Sequence, residues 1–105
     1  MSLTIDMLKE GSQMTLYVKG VLDISTTKIL DQTLEEIGNI DQLVVDLEGL
    51  EFIDSTGVGS IINAIRLSEK QKCKLKLQGM NPMIHDIFDT LGVYYILETV
   101  QKEIV

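Results

Sequence analysis

The 105-residue chain has one cysteine, one histidine and one proline. A lone Cys73 leaves no intramolecular disulfide to form. With one thiol and one imidazole, His85, the ligand set of a zinc site is missing. Positive charge is also scarce. Nine Lys and Arg stand against 16 Asp and Glu, a formal net charge of −7. That balance argues against nonspecific binding to nucleic acid or to an anionic membrane surface. No apolar run approaches the ~18 residues that a membrane span needs. The start, "MSLTIDMLKE", lacks the basic residues followed by an apolar stretch that mark a signal peptide. There is no internal repeat, low-complexity tract or linker. These absences lead to the expectation of a cytoplasmic protein with a single domain over 1–105.

What is present is a core. Hydrophobic residues make up 45% of the chain, enough to argue against disorder despite the charge. Residues 3–9 and 14–19 alternate with period two and read as strands, joined by the turn "EGSQ" into a hairpin. In "LDISTTKILDQTLEEIGN" the period becomes helical. Ile29, Leu30, Leu34 and Ile37 share a face, Ser25 or Thr26 is a cap, and Gly38-Asn39 is a stop. "QLVVDLEG" is apolar with little alternation, as in a strand covered on both faces. From Ser55, the residues Val58, Ile61, Ile62 and Ile65 fall at i, i+3, i+4 and i+7. "CKLKLQG" is a strand. "NPMIHDIFDTLG" is a helix with Asn81 as cap, Pro82 first and Gly92 as stop. The end, "VYYILETVQKEIV", reads as a short strand near Tyr94–Ile96 and then a helix from about Glu98. The order implies an α/β fold with a mixed sheet and right-handed crossovers, its functional loops at the carboxyl ends of parallel strands.

"DSTGVG", residues 54–59, is such a loop. Gly57 and Gly59 ahead of a helix could cradle an anion, but no lysine completes a phosphate-binding loop. Ser55 as a nucleophile would need a base, and the sequence does not put His85 beside it; the G-x-S-x-G pattern is absent. Asp54 or Ser55 could simply cap the helix, while the glycines let it approach the sheet. A serine at an exposed strand-to-helix corner is also open to a kinase. Phosphate there would add about −1.5 to −2 charge at a helix N-terminus, which the helix dipole favours, so its effect would fall on a partner's surface.

The run "LVVDLEGLEFIDSTGVGSII" resembles the signature of STAS domains of the anti-sigma factor antagonist type. "YVKGVLDISTT" is similar to that family's second strand and Gly-x-Leu-Asp loop, and "LKLQGMNPMIHDIFDTLGVYYIL" to its later strand, helix and closing segment. The resemblance implies a STAS fold of about four to five strands, with an N-terminal hairpin, packed by about four helices. It implies a non-catalytic, cofactor-free binding module. Its partners would be an anti-sigma factor that is also a GHKL-type serine kinase, and a PP2C-type phosphatase that reverses the modification. By position, the phosphoacceptor is Ser55, with Thr56 a minor candidate. Asp23, Asp54, Ser55, Thr56, Gly57 and Gly59 would meet the partner. Val58, Val21 and Thr27 depart from the commoner residues without touching the acceptor. The runner-up functions are a non-switching STAS scaffold or transport-assembly subunit, and a partner switch outside transcription, such as secretion control. The free protein is expected to be a monomer. The basic cluster Arg66, Lys70, Lys72, Lys74 and Lys76 reads as a solvated helix end and strand face, with a partner patch as the alternative. Cys73 reads as structural, the methionines as core filler, and Tyr94 and Tyr95 as cover for the core edge.

Overall fold

The computed structural model describes residues 2–102. Strand β1 (Leu3–Glu10) turns through Gly11-Ser12 into β2 (Gln13–Leu22), antiparallel, with Glu10 opposite Gln13 and Leu3 opposite Gly20. Helix α1 (Thr27–Glu36) leads to β3 (Gln42–Asp46), and β4 (Leu50–Ile53) follows almost at once. Then come α2 (Ser55–Lys70), β5 (Lys74–Gln78), α3 (Pro82–Thr90) and α4 (Val93–Gln101). The sheet runs β1-β2-β3-β5, and β4 also pairs with β2. Thus β3 flanks the first half of β2 and β4 its last residues, both parallel to it.

Two strand positions depart from expectation. β4 was not legible: four residues with only their ends buried carry no period-two signal. The segment predicted as a strand near Tyr94–Ile96 is helical, part of α4. Its buried or half-buried residues, Val93, Ile96, Leu97 and Val100, recur at i, i+3, i+4 and i+7. Packing of that stripe on α2 and α3 overrides the local β-propensity of Val-Tyr-Tyr-Ile.

All four helices feed one core. Leu30 and Leu34 of α1, Val58, Ile61 and Ile65 of α2, Ile84 and Phe88 of α3, and Val93 and Val100 of α4 join Leu16, Val18, Leu43, Val45, Leu75 and Leu77 of the sheet. The opposite sheet face stands outside this cluster. Val44 is nonetheless only 6% exposed there, because Thr15 and Lys76 flank it in register and Leu8 lies beyond Thr15. "QLVVD" is therefore covered by helices on one face and by cross-strand neighbours on the other. Helix ends follow sequence chemistry. Asn81 Oδ1 accepts from the Ile84 N–H at 2.8 Å, Pro82 begins α3, and Gly92, with φ 76°, ends it. Helix α1 stops before Gly38, at Ile37, whose backbone is extended.

Candidate functional site

β2 and β4 end side by side, Leu22 in register with Ile53. The loops that follow, residues 23–26 and residue 54, therefore meet at one edge of the molecule. Gly20 makes this possible. The ladder shifts register between Gly20 and Val21, and Gly20 holds φ 101°, a backbone state that glycine adopts without strain. A side chain there would also strike the Ser2 carbonyl.

Asp54 joins the two loops. Its Oδ1 accepts from the Gly57 N–H at 2.8 Å and so caps α2. Its Oδ2 accepts from the Ile24 N–H at 3.2 Å. One carboxylate thus satisfies an N–H of the first helical turn, which lacks an intrahelical acceptor, and fixes the neighbouring loop. That loop is organised from within by Asp23. Its Oδ1 accepts from the Ser25 hydroxyl at 2.6 Å and the Ser25 N–H at 2.9 Å. The Ser25 hydroxyl bond, outweighing desolvation and aided by the Ser25 N–H, holds the Asp23 carboxyl below the ordinary aspartate range. Thr26 is buried beneath. Its hydroxyl donates to the Val21 carbonyl at 2.8 Å and accepts from the Asp23 N–H at 2.9 Å. With the hydroxyl committed to those partners, Thr26 occupies the N-cap position of α1 but makes no side-chain cap bond, and Ser25 turns to Asp23 instead.

Ser55 opens α2, followed by Thr56, and both are exposed. Among the described residues neither hydroxyl has a hydrogen-bond partner. Gly57 is buried where the helix meets the sheet. A Cβ there would collide with the Leu22 carbonyl and lie 2.7 Å from Ile53 Cγ1. Gly59 differs, since a Cβ at that position meets nothing within 4 Å. Close packing therefore accounts for Gly57 and not for Gly59. One turn further on, Ser60 donates to Asp31 Oδ1 at 2.6 Å and ties α2 to α1.

The structure brings together Asp23, Asp54, Ser55, Thr56 and Gly57, with Gly59 just beyond on the exposed side of α2. Ile24 and Thr26 are the members that the sequence did not single out as functional. Thr26 had a signal in the pattern Asp-x-Ser-Thr, in which short polar side chains bond nearby backbone and build a turn, whereas Ile24 had none. His85 lies elsewhere. Its Nδ1 is 2.8 Å from the Tyr94 hydroxyl, and the Tyr94 ring also meets Phe88 edge-on. Tyr94 is half-buried at the core edge, whereas Tyr95 is 75% exposed. Cys73 is buried, and that burial, reinforced by the Asp41 charge, pushes its thiol pKa up, as suits an unreactive thiol. Arg66, Lys70, Lys72, Lys74 and Lys76 are all exposed at the end of α2 and along β5. Met7 and Met83 are exposed, so the methionines are not uniformly core filler. No group of three or more His, Cys, Asp or Glu among the described residues could hold a metal. No described helix is long and apolar enough to cross a membrane.

The family described as "Mlab, STAS domain" matches residues 5–98. This chain belongs to the STAS domain family. Its curated relatives include the anti-sigma F factor antagonist of Paenibacillus polymyxa, 24% identical over 99% of this chain and 92% of that one. Another is the anti-sigma-B factor antagonist of Bacillus subtilis, 22% identical over 97% and 94%. Among solved structures, an anti-sigma factor antagonist from Mycobacterium paratuberculosis superposes with a TM-score of 0.81 at 18% identity, covering 98% of this chain and 94% of that one. The antagonist SpoIIAA in its unphosphorylated form gives 0.67 at 20% identity, covering 84% and 82%. A sulfate transporter family protein from Wolinella succinogenes gives 0.77 at 16% identity, covering 86% and 75%. At these identities the superpositions establish the STAS fold: five strands and four helices, with the N-terminal hairpin as predicted.

Proposed function

We propose that this STAS domain is an anti-sigma factor antagonist that works as a phosphorylation-controlled binding module without catalysis of its own. The unphosphorylated form binds an anti-sigma factor with a GHKL-type kinase site and so frees a sigma factor. The kinase transfers the γ-phosphoryl group of ATP to Ser55. A bond forms from Oγ to phosphorus, the bond to the β-phosphate oxygen breaks, ADP leaves, and the hydroxyl proton passes to a kinase base. A PP2C-type phosphatase hydrolyses the phosphoserine and restores binding. Thr56 is the secondary acceptor. Asp23, Asp54, Gly57 and Gly59 shape the surface that the kinase meets.

The observation that carries this reading is Ser55 itself. It is an exposed serine with an uncommitted hydroxyl, at the first position of a helix, on a corner fixed by Asp54. A hydroxyl so placed is reachable by another protein's active site, and no base among the described residues engages it. The curated relatives, with "antagonist" in their names and nearly full mutual coverage, support the same reading.

The test is intact mass spectrometry after incubation with ATP and each GHKL-type serine kinase encoded in the genome that carries this chain. One phosphate on the wild type and none on Ser55→Ala is the expected result. Modification that persists in Ser55→Ala moves the acceptor to Thr56. No modification by any of these kinases overturns the switch and leaves a scaffold or transport-assembly role as the better account.

A further inference from the structure

Ile24 is an aliphatic side chain that the fold does not use. It is 76% exposed, although Val21 and Leu22 just before it are buried. Its backbone, by contrast, is fixed. The Ile24 N–H donates to Asp54 Oδ2 at 3.2 Å, and the Asp23 carboxylate holds the next peptide through the Ser25 N–H at 2.9 Å. The side chain is thus carried on a braced loop against the residue that precedes Ser55. A prearranged apolar group loses little conformational freedom when a partner covers it. The two chain segments that build its corner are acidic. Residues 20–27 and 50–62 contain Asp23, Glu51 and Asp54 and no Lys or Arg.

We propose that Ile24 is the anchor of the partner interface, entering an apolar pocket on the anti-sigma kinase whose rim carries Lys or Arg facing Asp23 and Asp54. The proposal rests on the partner-switching reading and extends it by dividing the work between residues. Ile24 slows dissociation, because its burial is lost only when the complex opens. The carboxylates speed encounter with a basic surface. The same closeness explains release. A phosphate dianion on Ser55, beside Asp54, would need water and space inside the contact that Ile24 closes, where a hydroxyl does not.

The experiment is surface plasmon resonance with the genome's purified GHKL-type anti-sigma kinases, loaded with ADP. Ile24→Ala is expected to weaken binding by about 10- to 100-fold, almost all of it in dissociation rate, with an unchanged melting temperature. Ile24→Leu should bind like the wild type. Asp23→Asn, which keeps the acceptor for the Ser25 N–H, should slow association and flatten its salt dependence while leaving dissociation alone. If the wild type binds and is phosphorylated at Ser55 but Ile24→Ala dissociates at the wild-type rate, the anchor is wrong and the switch stands. A loss of binding that tracks a loss of thermal stability overturns it as well. If the wild type binds none of these kinases, the anchor and the switch fall together.

Discussion

Gly57 and Gly59 stand two residues apart in one helix and face different surroundings. At 57 a methyl group would meet the Leu22 carbonyl and Ile53, and neither a backbone carbonyl nor a buried strand side chain yields easily. Gly57→Ala is therefore expected to destabilise by about 1–3 kcal/mol, the ordinary cost of overpacking. At 59 the added carbon has open space, and replacing glycine with alanine inside a helix recovers about 0.5–1 kcal/mol. Urea unfolding of the two single variants checks this directly: same substitution, opposite sign. Equal effects would mean that α2 sits further from β2 than described. The pair also marks how far the site could be read at this scale. Ser55, Asp54 and Gly57 were visible because a capping acid, a hydroxyl and a glycine follow one another at a strand-to-helix junction. The bond from Asp54 to the Ile24 N–H was not, because it spans thirty positions and depends on β2 and β4 ending in register. No local pattern encodes that.

The helix α4 raises a sharper question at the level of the element. In a strand, Val93 and Tyr95 would share a face and respond alike to substitution. In the helix, Val93 is fully buried and Tyr95 is 75% exposed. Val93→Ala should therefore cost about 1–3 kcal/mol through lost burial and the cavity left behind. Tyr95→Ala should fall within about 0.5 kcal/mol of the wild type, as surface changes do. Chemical denaturation of both variants distinguishes the two assignments, and equal losses would restore the strand. The elements that were legible carry long periodic stripes or explicit punctuation: α2, with Val58, Ile61 and Ile65, and α3, with Asn81, Pro82 and Gly92. Those that were not owe their state to neighbours. β4 is four residues long and exists because Gly20, Val21 and Leu22 offer it an edge after β3 has ended. The helicity of α4 comes from its packing on α2 and α3, which local propensity contradicts.

The whole molecule bears on how a phosphate could switch it. Helices cover one face of the sheet, and the Ser55 corner lies at one edge, where β2 and β4 run out. Ser55 itself is exposed there, so a group added to its hydroxyl faces solvent rather than the core. The charge, already −7, would fall by a further ~1.5 to 2 units. Two opposing effects act locally. The α2 N-terminus stabilises the anion by about 0.3–1 kcal/mol. A neighbouring carboxylate such as Asp54 repels each unit charge by about 1 kcal/mol at ~4 Å in water-like surroundings. For ~1.5 to 2 charges the repulsion, about 1.5–2 kcal/mol, exceeds the dipole's share, so phosphorylation at Ser55 should lower folding stability by about 0.5–1.7 kcal/mol. Both effects are screened, so the difference should shrink as ionic strength rises from ~0.01 M to ~1 M and the Debye length falls from about 30 Å to about 3 Å. Urea midpoints of the phosphorylated and unmodified chain at the two salt concentrations measure this. A binding loss far larger than such a stability change places the switch at the interface. A stability loss above about 2 kcal/mol would instead mean that phosphate acts by loosening the fold, and that the Asp54 bridge to the Ile24 loop is what it breaks.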